Sequence, residues 1–194
     1  MAPTPLPSTR PTRADAARNY DLLVTAAREA FAEHGTDTSL EEIARRAGVG
    51  IGTLYRNFPT KQALIAAMGE MWLEECISLA DAALSEPDPA VAFDRFIRTA
   101  AEQMARDNGM CRVLSDFSAK DVCPGQFLPF QDRTRQLVER AQAAGVIRAD
   151  LTLDDFVAIM GGLSAAIAQT ENWELFADML LAGLRAPAGA RSNR

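Results

Sequence analysis

The stretch Thr38–Lys61, TSLEEIARRAGVGIGTLYRNFPTK, narrows most what this chain can fold into. Ile43, Ala44 and Ala47 recur at helical spacing and put one apolar face on a short helix from Leu40 to Ala47. Gly48-Val49-Gly50 breaks that pattern, and a second short helix follows from about Ile51 to Asn57. Two short helices joined by a Gly-containing turn make a helix-turn-helix, whose second helix fits the major groove of DNA.

The rest of the chain agrees with an all-α fold. Alternating β-branched residues are absent, while Ala, Leu, Glu and Arg dominate at helical spacing. A first helix is expected from about Ala14 to His34, with Leu23, Ala27, Ala30 and Phe31 as its stripe and Gly35 as a left-handed C-cap. Ser39 and Glu42 have the spacing of a capping box. Thr60 caps a helix that reaches about Leu84, and Asp88-Pro89 opens one that ends near Gly109. Met110 to about Pro124 is irregular, Gln126–Ala144 is helical and closed by Gly145, and Thr152 with Asp155 caps a helix to about Gln169. A last helix spans about Trp173–Leu184, which gives about nine helices in all. Residues 1–13 read as a flexible arm and 187–194 as a disordered tail.

Charge is unevenly spread along these segments. The whole chain carries −6, yet residues 1–61 hold eight basic against seven acidic side chains, and the remainder twelve against nineteen. Within Thr38–Lys61, Arg45, Arg46, Arg56 and Lys61 face only Glu41 and Glu42. A basic module on an acidic body is the footprint of nucleic-acid binding. No apolar run approaches the ~20 residues that cross a bilayer, and the N-terminus lacks the apolar core of a secretory signal. Cys76, Cys111 and Cys123 form no CxxC pair, and their odd number suits a reducing, cytoplasmic setting. The one histidine, His34, ends a helix, which excludes a His-rich metal site and disfavours a catalytic dyad. Gly-rich phosphate loops and clustered metal ligands are absent too, so neither an enzyme nor a bound cofactor or metal is expected.

LLVTAAREAFAEHG, TSLEEIARRAGVGIGTLYRNF and PTKQALIAAM, in that order and spacing, resemble the TetR family of bacterial transcriptional regulators over Leu22–Met68. The resemblance implies a three-helix DNA-binding domain at residues 14–61 and a fourth helix, 61–84, leading into a ligand-binding and dimerisation domain at 62–186. It also implies a homodimer on a pseudo-palindromic operator in double-stranded DNA, most simply a repressor released by a small effector. An activator with the same DNA module is the alternative, and a helical small-molecule-binding protein or enzyme a more distant one. The chain departs from the family at Gly50 and Ile51, where many members carry Ser or Thr and a polar residue.

For DNA contact the chain offers Thr38, Ser39, Gly50, Ile51, Gly52, Thr53, Tyr55, Arg56, Asn57 and Lys61. Thr38 and Ser39 stand at a helix N-terminus and offer a hydroxyl or an N–H to phosphate. Gly50 and Gly52 permit close approach. Ile51 can touch a thymine methyl but cannot hydrogen-bond a base edge, Thr53 can bond base or phosphate, and Arg56 reads guanine or clamps phosphate. Tyr55 offers its hydroxyl to phosphate, and Lys61 gains there what it loses against the helix dipole. Arg45 and Arg46 read as solvated charges or further contacts, and Arg10, Arg13 and Arg18 as an arm for the minor groove.

In the second domain, Trp72, Phe93, Phe96, Met104, Met110, Phe117, Phe127, Phe130 and Met160 suit either core or a pocket that repacks around an apolar ligand. Arg98, Gln103 or Asp116 would supply its polar contact. Phe156, Ile159, Leu163, Ile167, Phe176, Met179 and Leu180 line the last two helices, which paired with their copies would form a four-helix interface.

Overall fold

A computed structural model of the chain describes residues 14–107, 109–111, 113, 122–170 and 172–186. Arg10, Arg13, Asp116, Phe117 and the tail 187–194 lie outside the described residues. The helices are α1 (Ala14–His34), α2 (Leu40–Arg46), α3 (Ile51–Asn57), α4 (Lys61–Leu84), α5 (Pro89–Arg106), α6 (Pro124–Ala143), α7 (Leu153–Ile167) and α8 (Trp173–Leu184). Among the described residues the only β pairing is an isolated antiparallel bridge between Ile147 and Arg185. No described helix is long and apolar enough to cross a membrane.

Local chemistry sets most of the helix ends. The amides of Ala63 and Ala90 donate to Thr60 Oγ1 and Asp88 Oδ1, at 3.1 and 2.8 Å, so both expected caps are in place. Several ends differ from the sequence reading: α2 stops at Arg46 rather than Ala47, α6 at Ala143 rather than Ala144, and α7 at Ile167 rather than about Gln169. α5 stops at Arg106 rather than near Gly109, because Asp107 Oδ1 accepts the amide of Met110 at 3.0 Å and starts a new turn. α6 begins at Pro124 rather than Gln126, since a proline at the first helical position forfeits no hydrogen bond.

The described residues fall into two compact units. One comprises residues through Trp72 together with Asp107–Gly125, and the other Leu73–Arg106 together with the chain from Gln126 onward. In the first unit α1 packs on α2 and α3. Leu23, Ala27, Ala30 and Phe31 of α1, Ile43 of α2, Leu54 of α3 and Leu64 of α4 are all fully buried. Tyr20 and Phe58 rings stack at a tilt, 4.9 Å apart. Gly109 lies so close to α1 that a Cβ there would sit 2.0 Å from the Arg28 carbonyl oxygen. In the second unit Phe93, Phe96 and Ile97 of α5 share one apolar cluster with Ala80, Leu137, Ile147, Leu151, Phe156 and Leu181.

Candidate nucleic-acid interface

The first unit presents α3 to solvent along one side. Leu54 is fully buried and Phe58 nearly so, which anchors α3 by its inner face. Ile51, Gly52, Tyr55 and Arg56 are exposed on the other, with Thr53 and Asn57 half-buried at its edges. Ile51 and Tyr55 remain 40% and 45% exposed, large apolar area for a helix of seven residues. A Cβ added at Gly50 or Gly52 would meet nothing, so the approach to the start of this helix is open.

The turn before α3 explains how that face is held. Gly48 has φ +67°, a left-handed conformation that glycine adopts without steric cost. Its amide donates to the Arg45 carbonyl at 3.2 Å, and the Val49 amide donates to the Ala44 carbonyl at 3.1 Å. This is a Schellman end to α2: it satisfies two orphan carbonyls and swings the chain into α3. Gly50 then serves as N-cap without a side-chain bond, leaving amides at the start of α3 uncapped by any side chain.

The polar residues do not all face outward. Thr38 is buried, and its hydroxyl donates to the carbonyls of Gly35 (2.9 Å) and Ala30 (3.4 Å). Its amide is spent on Gly35 as well, at 3.3 Å. Thr38 therefore closes the α1–α2 connection and has no donor left for phosphate, contrary to the sequence reading. Ser39 is exposed; its Oγ accepts the Glu42 amide at 3.2 Å, and its own proton stays available to an acceptor. Arg56 donates to Thr53 Oγ1 at 2.9 Å, and Asn57 Nδ2 to the Thr53 carbonyl at 2.8 Å, so the edge of α3 is pre-ordered. Lys61 Nζ sits 5.7 Å from the Phe31 ring centroid, a cation–π contact that offsets its unfavourable place at a helix start.

Arg45 and Arg46 are drawn into an ion-pair chain that the sequence reading missed. The Glu42 carboxylate accepts from Arg45 Nε and Nη2 at 2.8 and 2.7 Å, and from Arg46 Nε at 3.0 Å. Arg46 also donates to Glu33 of α1 and stands 3.2 Å from His34 Nε2. The bonds from Arg45 and then Arg46 hold the Glu42 carboxyl down at about 2, so it is fully ionised at neutral pH. Glu42 thus fails to reach back to the Ser39 amide, and the expected capping box is only half made. Separations of three and four residues are the signal that could have found the α2 pairs; the thirteen-residue reach to Glu33 left no local signal.

The pocket candidates are divided between the units. Trp72 and Met110 belong to the first, and Phe93, Phe96, Met104, Phe127, Phe130 and Met160 to the second. Phe93 and Phe96 sit in the second unit's core, while Phe127, Phe130 and Met160 are half-buried. Phe93 lines an open cleft of about 480 Å³ with Val91, Ile147 and Leu181, flanked by Asp94 and Arg185. The suggested polar contacts are otherwise engaged: Arg98 pairs with Asp94 and Asp178, and Gln103 Nε2 donates to Glu75 at 2.7 Å. Cys76, Cys111 and Cys123 are buried and form no disulfide, and burial pushes the Cys123 thiol up to about 12, which keeps it protonated and unreactive.

Of the residues expected at a dimer interface, Phe156, Leu163 and Ile167 are instead buried within the subunit, Phe156 and Ile167 to 1% exposure. Helical spacing gave all seven one label, but the turns of α7 put Phe156 into the unit's core and Ile159 outside. Ile159 and Met179 are exposed, and Phe176 and Leu180 half-buried.

These features have close counterparts among known proteins. Residues 23–68 match the family model of bacterial regulatory proteins, tetR family, and residues 88–186 match that of the SbtR-like transcriptional regulator C-terminal domain. The crystal structure of a TetR transcription regulatory protein from Mycobacterium vanbaalenii is 34% identical, with a TM-score of 0.62 over 90% of this chain and 99% of that one. The TetR regulator SCO0520 from Streptomyces coelicolor is 35% identical, with a TM-score of 0.60 over 87% and 99%. The transcriptional repressor BepR of Brucella suis is 29% identical over 66% of this chain, which spans 63% of that relative's length. The chain belongs to the TetR family of bacterial transcriptional regulators.

Proposed function

We propose that the protein is a dimeric, cytoplasmic repressor that reads a pseudo-palindromic operator through α3 and leaves it when a small, largely apolar effector binds. The observation that carries this is the open face of α3, where Ile51, Gly52, Tyr55 and Arg56 meet solvent while Leu54 and Phe58 lock the opposite side into the core. A helix held on one side and bare on the other is what a major groove accepts. Ser39, Gly50, Thr53, Asn57 and Lys61 flank that face and are assigned to phosphate or base contact. The repressing role is supported by the name of the Brucella relative.

In this reading residues 14–61 form the DNA-binding domain and 62–186 the effector and dimerisation domain, without enzymatic activity. Two copies meet through the exposed residues of the last two helices, Ile159 and Met179 among them. Their recognition helices then enter adjacent grooves ~34–36 Å apart. The effector acts only to the extent that it binds a differently spaced state better than the DNA-bound one.

A fluorescence anisotropy titration on the fragment upstream of the protein's own gene tests the proposal. Specific binding that weakens steeply with salt is expected, and Tyr55→Ala and Lys61→Ala should both reduce it. The absence of salt-sensitive specific binding to any genomic fragment would overturn it. Mass spectrometry of protein purified from its host checks for the effector.

A further inference from the structure

The DNA-binding unit holds more basic residues than it leaves available. Arg45 is 73% exposed and would reach a phosphate freely, yet its guanidinium is bonded through two nitrogens to Glu42. Arg46 is shared between Glu42 on its own helix and Glu33 on α1. Arg56 and Lys61, by contrast, have no carboxylate partner among the described residues; one touches Thr53 and the other the Phe31 ring. Bidentate carboxylate–guanidinium pairs compete with phosphate for the same donors in the same planar geometry.

We propose that Glu42, with Glu33, is a specificity-determining residue that withholds Arg45 and Arg46 from the DNA backbone. This rests on the DNA-binding reading above. Phosphate contacts raise affinity for every sequence alike, whereas base contacts discriminate. Occupying two of the arginines therefore lowers non-specific binding and leaves discrimination to the residues on α3. The arrangement survives throughout the physiological pH range because the Glu42 carboxyl is held far below neutrality. Glu42 here acts through the arginines and touches no base. Glu33 also ties α1 to α2 through Arg46, so its substitution alone would mix a positional effect with the electrostatic one.

The experiment measures the dependence of the observed association constant on salt for the full chain, on a non-specific duplex and on its operator fragment. Each freed arginine that gains a phosphate steepens the log–log slope by about 0.9. Glu42→Gln should thus steepen it by about one contact, an extra loss of roughly 3-fold between 50 and 200 mM salt, and should raise non-specific affinity at low salt. The ratio of specific to non-specific binding should fall. Adding Arg45→Gln to Glu42→Gln should return the slope to that of the unaltered protein. Arg45→Gln alone should leave the slope where it was, because that arginine is already occupied. Glu41→Gln removes the same charge from an exposed neighbour whose loss frees no arginine, and should change the slope far less.

An unchanged slope in Glu42→Gln, an equal change in Glu41→Gln, or a shallower slope in Arg45→Gln alone would each overturn the proposal. Circular dichroism of each variant guards against unfolding, and the Arg45→Gln arm stands even if Glu42→Gln does not fold. If the unaltered protein shows no salt-dependent DNA binding, it is the DNA-binding reading that fails, and this inference goes with it.

Discussion

Helices α2 and α7 start with the same signal in the same register and use it differently. Each has a Ser or Thr cap, a carboxylate three residues on and a buried apolar residue after that: Ser39, Glu42, Ile43 against Thr152, Asp155, Phe156. At α7 the box closes both ways. Thr152 Oγ1 accepts the Asp155 amide at 3.1 Å, and Asp155 accepts the Thr152 amide at 3.2 Å. At α2 only the first arm forms, because Arg45 and Arg46 capture the Glu42 carboxylate. The residues before the caps differ too: Leu151 joins Phe156 in one apolar cluster, whereas Thr38 turns a hydroxyl to backbone carbonyls. A start signal therefore settles where a helix begins. What the carboxylate does next depends on which cations lie in reach.

The comparison breaks most visibly at the residue after each box. Phe156→Ala should cost about 3–5 kcal/mol and Ile43→Ala about 2–5 kcal/mol, since both side chains are essentially fully buried. Urea or thermal unfolding checks both, and losses under about 1 kcal/mol would show that these residues do not anchor their helices. The caps come next. Thr152→Ala should cost about 1–2 kcal/mol and Ser39→Ala only about 0.5–1 kcal/mol, as one box has two arms and the other one. Equal losses would erase the distinction.

Thr38→Val should cost about 1 kcal/mol for the lost inward hydrogen bonds. Operator affinity of the folded variant should stay unchanged, and a marked loss would return Thr38 to the DNA interface. A finer test uses acid. The Glu42 carboxyl is lowered from 4.5 to about 2, so its contribution is complete above pH 4.5 and is lost as pH falls toward 2. Asp155 is also lowered, first by its bond from Thr152. Glu42→Gln should flatten the acid limb of the unfolding midpoint, and Thr152→Ala should reduce the share due to Asp155. The smallest effect belongs to Met179→Ala: stability should move by less than about 0.5 kcal/mol. Sedimentation should instead show weakened self-association, if the exposed face of α8 meets a second copy.

The sequence made much of the fold legible because its signals act over three or four residues. Gly35, Gly48 and Gly145 all take positive φ where helices were expected to end. The bounds of α1, α3 and α8 coincide with those expected from capping and periodicity. Where α5 and α6 differ, an Asp cap and a first-turn proline account for the shift. The candidate interface was less legible. That α3 is a short helix with a small, polar outer face follows from its residues, but which hydroxyls point outward does not. Thr38 and Ser39 are adjacent and chemically alike; one is buried in the α1–α2 connection and the other lies open. Likewise Phe156 and Ile159 share a helix and an apolar character, yet only Ile159 reaches the surface.

By itself the sequence determined that the chain is helical, where most of its helices start and stop to within a few residues, and that a helix-turn-helix lies between Ser39 and Phe58. Those outcomes depend on backbone hydrogen bonds, left-handed glycines and side-chain caps, all of which close within a turn of chain. Only the tertiary structure decided which apolar residues form the core of each unit and which arginines are already paired. Glu33 and Arg46 are thirteen residues apart and meet because α1 packs on α2. Burial and ion pairing at that range depend on where whole helices lie, and no local pattern encodes it.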